Sequence, residues 1–390
     1  MAHFGDFQSE IYQRGAAGER PDLPLTCDGL EAAAQGVLSA EAFGYVAGGA
    51  SSERTIIANR EAFVQWRIVP RMLRGVLERD LSTTLVGTSM SAPVLTAPIG
   101  VLGLVHPDAE AAVSRAAAAL GLPSVLSTAS STTLEDVAAA APDGPRWYQL
   151  YWPKDVELAE SLVRRAEWAG YQAIVVTVDT WALGWRPRDL ELGHLPFLRA
   201  QGLANYLSDP VFRSRLSAPP EESAVAMRAA VLAWVELFGN PALGWPDLLL
   251  LREWTQLPIV IKGICHPDDA RAALDHGADA MVVSNHGGRQ VDGARAALDC
   301  LPDVAAAVGD RAPVLLDSGI RCGADVLIAL ALGARAVLLG RPWVYGLALA
   351  GQRGVEHVLR TVLGDLDLTL ALAGYASLSE LTAQSVVKEA

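Results

Sequence analysis

From about residue 90 onward, short apolar runs alternate with longer amphipathic stretches that are rich in alanine. Each apolar run ends in a polar or glycine-rich tip. Runs that are apolar throughout, rather than at every second position, are typical of parallel strands covered on both faces. Eight runs predict strands: Val94–Ala97, Ser124–Ser127, Trp147–Tyr151, Ala173–Val178, Pro258–Lys262, Met281–Ser284, Val314–Asp317 and Ala336–Leu339.

Helix boundary signals lie between these runs. Pro267 would occupy the first position of a helix, and the two acidic residues after it suit the positive end of the helix dipole. Residues 132–135, Thr-Thr-Leu-Glu, fit a capping box. Glycines stand where three of the helices should end: Gly121, Gly170 and Gly277.

Eight strand–helix units predict an α/β fold, a (β/α)8 TIM barrel over about residues 90–350. A doubly wound open sheet is the alternative, but no GxGxxG follows the first predicted strand. A helical segment should precede the barrel, because Glu53 to Trp66 has a helical pattern. We expect residues 1–390 to form a single domain.

One predicted connection is unusually long, with about 80 residues between the fourth and fifth strands. Residues 193–219 have little regular pattern, whereas residues 221–238 predict a helix. Such an insertion is often a lid; the alternative is a disordered surface loop. We expect an ordered, lid-like insertion over about residues 187–257. Its aromatic residues favour order: Phe197, Tyr206, Phe212, Trp234 and Trp245.

Charge excludes some classes of function. The net charge of −13 makes nucleic acid or an anionic membrane a poor partner, so we expect neither. The four cysteines form no CxxC and no zinc-like cluster, so we expect reduced thiols and no metal. No signal peptide is evident, and the longest apolar region, Val326–Leu339, is too short to span a bilayer. We therefore expect a cytoplasmic protein.

The tip after the sixth predicted strand carries the strongest chemical signal. Residues 284–290, Ser-Asn-His-Gly-Gly-Arg-Gln, place His286 and Arg289 on a backbone freed by two glycines. Histidine can take a proton near neutral pH, and the arginine fork fits a carboxylate. The pair suggests a base beside an anion anchor; the alternative is a turn that contains a structural histidine.

The other tips should meet at the same place, because the carboxyl ends of barrel strands share one face and active sites lie there. Nearly every predicted strand delivers polar or glycine residues to that face. The residues at and just after these tips are Pro98, Ile99, Gly100, Ser127, Gln149, Tyr151, Thr177, Asp179, Arg186, Lys262, Ser284, Asp317, Ser318, Gly319, Arg321, Gly340 and Arg341.

For some of these residues, the chemistry of the side chain predicts the group that it would bind. The glycines and arginines after the last two strands suit a phosphate, which this fold usually binds there; a structural salt bridge is the alternative for each arginine. Lys262 should face an anion, since an unpaired buried lysine is costly. Asp179 is a candidate partner for a base that becomes cationic.

These residues resemble the FMN-dependent α-hydroxy-acid oxidase and dehydrogenase family. Within it, the chain is most similar to the lactate 2-monooxygenases, which convert L-lactate and O2 to acetate, CO2 and water. The family motifs are residues 148–151 (YQLY), 177–180 (TVDT), 262–263 (KG), 284–290 (SNHGGRQ) and 317–321 (DSGIR). The narrower likeness lies in residues 43–49 (FGYVAGG), 97–101 (APIGV) and 184–190 (GWRPRDL), and in the insertion around 196–199 and 205–206.

The resemblance implies roles at the substrate. His286 would be the base that acts on a 2-hydroxy acid, and Asp179 would stabilise its imidazolium form. Arg186 and Arg289, helped by Tyr45, would hold the substrate carboxylate. A further tyrosine would bind the hydroxyl oxygen or the developing carbonyl: Tyr151.

The cofactor that the resemblance implies is FMN. Lys262 would stabilise the anionic reduced flavin, and Asp317, with Ser318 beside it, would bind the ribityl chain. Pro98, Ile99, Gly100, Ser127, Gln149, Thr177 and Ser284 would hold the isoalloxazine ring. The phosphate would be bound by Gly319, Arg321, Gly340 and Arg341.

Release of the product would decide the reaction. If the keto acid leaves first, the enzyme is an oxidase that releases H2O2; if a closed lid retains it, peroxide decarboxylates it. Gly100 favours the second outcome, since many oxidase relatives have alanine there. Val46 and Trp185 depart from several relatives beside the substrate, which leaves the identity of the 2-hydroxy acid open.

We therefore expect an FMN-dependent monooxygenase of L-lactate. The alternatives are an oxidase, a dehydrogenase with another acceptor and, more distantly, a non-redox phosphate-binding isomerase or lyase. Because the family commonly forms tetramers or higher assemblies, we also expect a homo-oligomer.

Overall fold

The computed structural model of the protein describes residues 3–389. Within that range the chain forms twelve strands and sixteen α-helices. The strands are β1 (Trp66–Ile68), β2 (Thr83–Leu85), β3 (Thr88–Met90), β4 (Val94–Thr96), β5 (Ser124–Ser127), β6 (Arg146–Leu150), β7 (Ile174–Thr177), β8 (Ile259–Ile264), β9 (Ala280–Val283), β10 (Val314–Leu316), β11 (Ala336–Leu339) and β12 (Val386–Lys388).

The helices before and around the first half of the barrel are α1 (Asp6–Ala16), α2 (Cys27–Val37), α3 (Ala40–Ala47), α4 (Arg54–Val64), α5 (Ala109–Ala119), α6 (Leu134–Ala140) and α7 (Val156–Trp168). Those of the insertion and the second half are α8 (Pro187–Glu191), α9 (Ala204–Leu207), α10 (Pro210–Ser214), α11 (Ala224–Leu237), α12 (Leu248–Trp254), α13 (Pro267–Asp275), α14 (Ala297–Val308), α15 (Gly323–Ala331) and α16 (Arg341–Leu372). No helix in the described range is long and apolar enough to cross a membrane.

Strands β4 to β11 are parallel and close into a barrel, with β11 beside β4. This confirms the (β/α)8 fold and all eight predicted strands, and it excludes the open sheet. The fifth barrel strand, β8, is longer than predicted: it continues to Ile264, with a register shift between Lys262 and Ile264. Gly263 lies at this bulge with a φ of +111°, a conformation that suits glycine.

The barrel has two apolar layers that follow the two-residue period of its strands. Val260 of β8 and Val282 of β9 point inward, into a core with Trp147 of β6. Their neighbours Ile259 and Met281 point outward, against the helices. This explains why the runs are apolar throughout, since both faces of each strand are covered.

A hairpin that the sequence analysis missed packs into the amino-terminal side of the barrel. Strands β2 and β3 pair antiparallel, and Leu85 and Met90 join the inward-facing core. Trp147, near the start of β6, donates from Nε1 to Thr88 Oγ1 at 2.9 Å. Three-residue strands are too short to show an alternating pattern, which is why the hairpin could not be predicted from the sequence.

The predicted helix boundaries were mostly correct. Helix α4 lies within the predicted Glu53–Trp66 segment, and α13 begins at Pro267. Gly121, Gly170 and Gly277 each follow a helix with positive φ, as expected for C-terminal caps. The capping box predicted at residues 132–135 was wrong by one residue: Thr133 caps α6 and accepts a hydrogen bond from the Asp136 N–H.

The insertion is ordered, as predicted, and α11 confirms the expected helix. Over residues 193–219, where the sequence has little regular pattern, the chain forms two short helices, α9 and α10. The α10 helix is fixed by the buried Asp209, which accepts the first N–H groups of the helix and pairs with Arg165 at 2.9 Å. A short element capped by one side chain leaves almost no periodic signal.

The aromatic residues of the insertion form a cluster over the barrel. Phe197 and Phe238 each lie 4.8 Å from Trp234, measured between ring centroids, and Phe238 meets Tyr151 edge-on at 5.8 Å. Trp245 lies elsewhere, against His276. The insertion is therefore packed onto a barrel residue that was predicted to belong to the site.

Candidate active site

A buried polar layer lies at the carboxyl ends of the strands. Side chains of a strand alternate between its faces, so inward-facing apolar residues are followed, two positions later, by a second inward-facing set. Val260 leads in this way to Lys262, and Val282 to Ser284. We call this set the mouth layer: Ser127, Gln149, Thr177, Lys262, Ser284 and Asp317.

Lys262 is the charged centre of the mouth layer. Its Nζ lies 3.0 Å from Asp317 Oδ2 and donates to Ser284 Oγ at 3.0 Å. Burial lowers the pKa of Lys262, but the carboxylates of Asp317 and Asp179 outweigh that effect and raise it above its usual value. The lysine therefore stays protonated, and Asp317 is the anion that it faces.

Two polar atoms of the mouth layer have no partner among residues 3–389. They are Nε2 of Gln149 and Oγ1 of Thr177, and both are buried. Gln149 uses only its Oε1, which accepts from Ser127 Oγ at 3.0 Å. A buried donor without an acceptor destabilises a fold by roughly 1–3 kcal/mol. The layer is thus suited to a polar ligand that completes it.

His286 lies just above this layer and is oriented by Asp179. Its Nδ1 donates to Asp179 Oδ1 at 2.8 Å, and the Thr180 hydroxyl donates to the same oxygen at 3.0 Å. This hydrogen bond fixes the tautomer, leaving Nε2 without a proton. Gly263 allows the close packing, because a Cβ there would lie 2.8 Å from Asp179 Cβ.

Burial and charge decide the protonation of this pair. Burial lowers the pKa of His286 below its usual value, and the attraction of Asp179 opposes that shift only in part. Burial raises the pKa of Asp179, but the His286 contact outweighs it and leaves the pKa lowered. At neutral pH the pair is therefore a neutral imidazole and a carboxylate, as a general base requires.

A cavity opens above the mouth layer, and it holds about 1040 Å³ of empty space when the solvent at its open end is included. Sixteen of the predicted residues line it. They are Tyr45, Pro98, Ile99, Gly100, Ser127, Tyr151, Arg186, Lys262, His286, Arg289, Asp317, Ser318, Gly319, Arg321, Gly340 and Arg341. Four other predicted residues are not among those that line it: Gln149, Thr177, Asp179 and Ser284.

Two arginines form a positive site beside His286. Arg289 lies over the Tyr45 ring, with Cζ 5.2 Å from its centroid, and donates to the Gly48 carbonyl at 2.6 Å. Arg186 donates to Gln290 Oε1 at 3.1 Å. Within residues 3–389 neither guanidinium pairs with a carboxylate. Burial and the nearby positive charge of Arg186 lower the pKa of Arg289 to about 9, so an anionic ligand would be stabilising here.

A second pair of arginines lies after the last two barrel strands. Arg341 donates only to backbone carbonyls, those of Val46, Gly48 and Gly287 at 2.9–3.1 Å. Burial and the positive charge of Arg321 lower the pKa of Arg341 to about 10. Neither guanidinium is paired with an acid in the described part of the chain. The predicted salt-bridge alternative is thereby excluded for Arg321 and Arg341.

Gln290 ties the loops after β7 and β9 together, a role that the sequence analysis missed. Its Nε2 donates to the carbonyls of Asp179 and Ala182, at 2.9 and 2.8 Å. Its Oε1 accepts from the Gly184 N–H and from Arg186. Gln290 stood in a quoted motif, but nothing in the sequence shows which loop its side chain meets.

The apolar wall of the cavity was also missed in part. Val46, Leu183, Phe197 and Phe238 line it beside the charged groups. Only the aromatic content of the insertion pointed to Phe197, and Phe238 stood at the end of a predicted helix. These residues shape the space left for a ligand side chain. In residues 3–389 no cluster of acidic, histidine and cysteine side chains could hold a metal ion.

Comparisons with known proteins agree with this geometry. A family described as FMN-dependent dehydrogenase matches residues 34–388. The chain is 45% identical over 379 residues to the FMN-dependent alpha-hydroxy acid dehydrogenase qulF of Penicillium citrinum. The aligned region covers 97% of this chain and 94% of that protein. It is 44% identical over 366 residues to an L-lactate oxidase of Lysinibacillus sphaericus, with 94% and 93% covered.

Solved structures are similar over nearly the whole chain. A crystal structure of mandelate oxidase superposes with a TM-score of 0.81 at 39% identity, covering 93% of this chain and 98% of that one. A putative lactate oxidase of Pediococcus acidilactici superposes with a TM-score of 0.83 at 34% identity, covering 95% and 96%.

Proposed function

The chain belongs to the FMN-dependent dehydrogenase family, and from this premise we propose that it oxidises small L-2-hydroxy acids such as L-lactate with O2. The observation that carries the proposal is one juxtaposition. His286, oriented by Asp179, lies in the same cavity as two arginines, Arg186 and Arg289, that pair with no carboxylate in residues 3–389. A base beside a carboxylate site is what oxidation of a 2-hydroxy acid requires.

His286 is the proton acceptor in this proposal. The substrate loses two electrons and two protons overall, and Nε2 of His286 takes a proton from the hydroxyl group or the α-carbon. The imidazolium that results is stabilised by Asp179, 2.8 Å from Nδ1. Thr180, hydrogen-bonded to the same carboxylate oxygen, keeps Asp179 in place.

The remaining polar groups orient the substrate. Arg186 and Arg289 bind the carboxylate, with Tyr45 beneath the Arg289 guanidinium. Burial raises the pKa of Tyr151 to about 12, so its hydroxyl remains a donor to the substrate oxygen. Leu183, at the apolar wall, would meet the substrate side chain, which suits a small apolar group such as the methyl of lactate.

The mouth layer and the second arginine pair fit FMN. The buried atoms of Gln149 and Thr177 that have no partner within residues 3–389, together with the charge of Lys262, suit a flat polar ring with a developing negative charge. Arg321 and Arg341 suit its phosphate. Bound FMN would supply acceptance of the two electrons and their transfer to O2.

The finer proposal is that the product is decarboxylated, giving acetate, CO2 and water. The aromatic cluster of the insertion, with Phe238 against Tyr151, supports retention of the keto acid. The resemblance adds a second reason, since many oxidase relatives have alanine at the place of Gly100. A Cβ there would lie 2.7 Å from the Ala129 carbonyl oxygen, so alanine would require this loop to shift. The second candidate is an oxidase that releases the keto acid and H2O2, and the L-lactate oxidase among the relatives favours it.

One experiment tests the proposal in two stages. The FMN-loaded protein is mixed anaerobically with a panel of 2-hydroxy acids, and we expect L-lactate or a similar small L-acid to bleach the flavin band near 450 nm. Acetate, pyruvate and peroxide are then measured per O2 consumed. Stoichiometric peroxide would exclude decarboxylation and leave the oxidase; no bleaching by any acid would contradict both.

Three further expectations stay proposals. We propose one domain over residues 1–390, with a lid-like insertion at about residues 187–257. We also propose a homo-oligomer, tetrameric or higher, and a cytoplasmic location. Analytical ultracentrifugation of the FMN-loaded protein measures the assembly directly.

A further inference from the structure

The backbone of His286 is held in an unfavourable conformation. Its φ is +58°, in the left-handed region that residues with a Cβ rarely occupy. Gly287 and Gly288 continue the left-handed turn, without that steric conflict. A strained residue persists only where its surroundings fix it. Something outside the glycines must therefore hold His286.

Asn285 closes the turn from one side. Its Oδ1 accepts from the Gly288 N–H at 3.1 Å, across His286, and its Nδ2 donates to the Arg295 carbonyl at 3.2 Å. Each of these two atoms can make one more hydrogen bond, and in both cases the partner is Asn59.

Asn59 lies on α4, outside the barrel, and is only 2% exposed. The two amides form a reciprocal pair in which each Nδ2 donates to the other Oδ1 at 2.8 Å. The Ala297 N–H also donates to Asn59 Oδ1, at 3.1 Å. Neither amide can rotate without leaving buried groups unpaired, which is unfavourable.

Helix α4 is itself fixed against two loops of the cavity. A Cβ on Gly288 would lie 2.7 Å from Ile56 N, and a Cβ on Gly319 would lie 2.5 Å from the Asn59 carbonyl oxygen. Arg60 of the same helix pairs with Asp325 at 2.8 Å. The helix thus contacts the loop of His286 and the loop proposed to bind phosphate.

We propose that Asn59 is a positioning residue that holds His286 in its strained conformation through Asn285. This inference rests on the proposed function, in which His286 is the base. Asn59 does not line the cavity, so its effect on the reaction passes through Asn285. The consequence is that a residue outside the barrel, 226 positions from Asn285 in sequence, sets the geometry of proton transfer.

The test uses the FMN-loaded variants Asn59→Leu, Asn285→Leu and the double variant, since leucine removes the amide with little change in size. The rate of flavin bleaching at saturating L-lactate is measured anaerobically against pH, together with amide hydrogen exchange over residues 285–289. We expect each single variant to bleach about 10-fold or more slowly, because a small displacement of a catalytic group has effects of that size. Exchange should be faster at Gly287 and Gly288.

Two results would distinguish a positioning role of Asn59 from a general loss of structure. The double variant should be no slower than the slower single variant, since Asn59 is proposed to act only through Asn285, whose amide the Asn285→Leu change already removes. The acid limb of the pH profile should move to lower pH, because the Asp179 contact that raises the pKa of His286 is loosened. A double variant whose losses multiply would contradict the proposal.

Thr55→Val is the matched control. Thr55 is fully buried on the same helix, one turn before Asn59, and it bonds the Val291 carbonyl and the Ala294 N–H. We expect lower thermal stability and unchanged bleaching.

If Asn59→Leu behaves like this control, with wild-type bleaching and pH profile, the proposal is wrong. Should Asn59→Leu fail to fold, Asn59→Asp replaces it under the same criterion. A wild-type protein that no acid bleaches would contradict the proposed function instead, and the exchange measurement would still decide whether Asn59 holds the loop.

Discussion

The two ends of the barrel are built in opposite ways. At the amino-terminal side, Leu85 and Met90 of the hairpin pack into the inward-facing core, and the buried indole N–H of Trp147 is satisfied by Thr88 at 2.9 Å. At the carboxyl end the mouth layer is buried yet incomplete, with Gln149 Nε2 unpartnered in the described range. One end is arranged for stability and the other for a ligand.

This contrast follows from the two-residue period of the strands and from a change along most strands from apolar to polar inward-facing residues. Inward positions at the start and middle of the strands are apolar, and those at the ends of six of the eight barrel strands are polar or charged. Burial of unpaired polar and cationic groups is unfavourable until a ligand supplies the partners. We therefore expect substitutions at the mouth to change the reaction and substitutions at the hairpin to change the free energy of unfolding.

The largest effect is expected at the mouth, for His286→Ala. Removing the base should slow flavin reduction by L-lactate at least ~10²-fold, the lower end for general-base catalysis, while FMN stays bound. Anaerobic stopped-flow absorbance at 450 nm measures it. Reduction at the wild-type rate would remove His286 from the mechanism and weaken the contrast between the two ends.

Met90→Ala probes the other end. Met90 is 4% exposed in the inward-facing core, and truncation of such a side chain lowers the free energy of unfolding by about 2–4 kcal/mol. Urea unfolding of the FMN-loaded protein measures this. The rate of flavin reduction at saturating substrate should not change; a slower reaction would show that the two ends are coupled.

Arg289→Lys tests whether Arg289, at the mouth of the barrel, binds the substrate carboxylate. The variant keeps the positive charge but loses the planar fork that can hold a carboxylate with two parallel hydrogen bonds. We expect about a 10-fold weaker apparent affinity for the substrate, seen in KM more than in kcat. Arg228→Lys, a change on the exposed face of α11, serves as the control and should leave both constants unchanged.

The smallest effect is expected in the pH dependence. Because burial lowers the pKa of His286, the acid limb of kcat/KM should lie below the ordinary histidine value of about 6.5. Stability changes with the same sign: the neutral form is favoured in the folded state, so His286 makes the fold less stable as pH falls through about 6.5 toward the lowered pKa. Titration of the free energy of unfolding against pH, for the wild type and His286→Gln, isolates this contribution.

Asp179→Asn tests the cause of that pKa. Asp179 is the group that raises the pKa of His286 against the effect of burial. Its loss should therefore move the acid limb to still lower pH. A shift to higher pH would mean that Asp179 does not stabilise the imidazolium.

The sequence predicted the barrel and most of the cavity lining for one physical reason. Strands covered on both faces are apolar throughout, so the residue at which each run turns polar marks the mouth. Lys262 and Asp317 were predicted in this way to lie at the mouth, although their contact with each other was not predicted. The hairpin was missed because each strand has three residues, too few for a period.

Contacts between distant loops could not be predicted. Gln290 and Asn59 stood in or near recognisable patterns, but a side-chain amide carries no sequence signal of its partner. Asn59 meets Asn285 across 226 residues, and Gln290 meets Ala182 across 108. Such pairs become visible only once the strands have brought their loops together.

The hydrogen bonds by which Gln290 joins the loops after β7 and β9 have a consequence for how molecules reach the cavity. Because these bonds fasten the chain from Asp179 to Arg186 against the loop of His286, we expect any movement of the proposed lid to begin beyond Arg186, where Pro187 begins α8. The residues proposed to bind the carboxylate and the residues proposed to move would then be separate stretches of chain. Substitutions in the insertion should therefore change ligand entry without changing the affinity for the carboxylate.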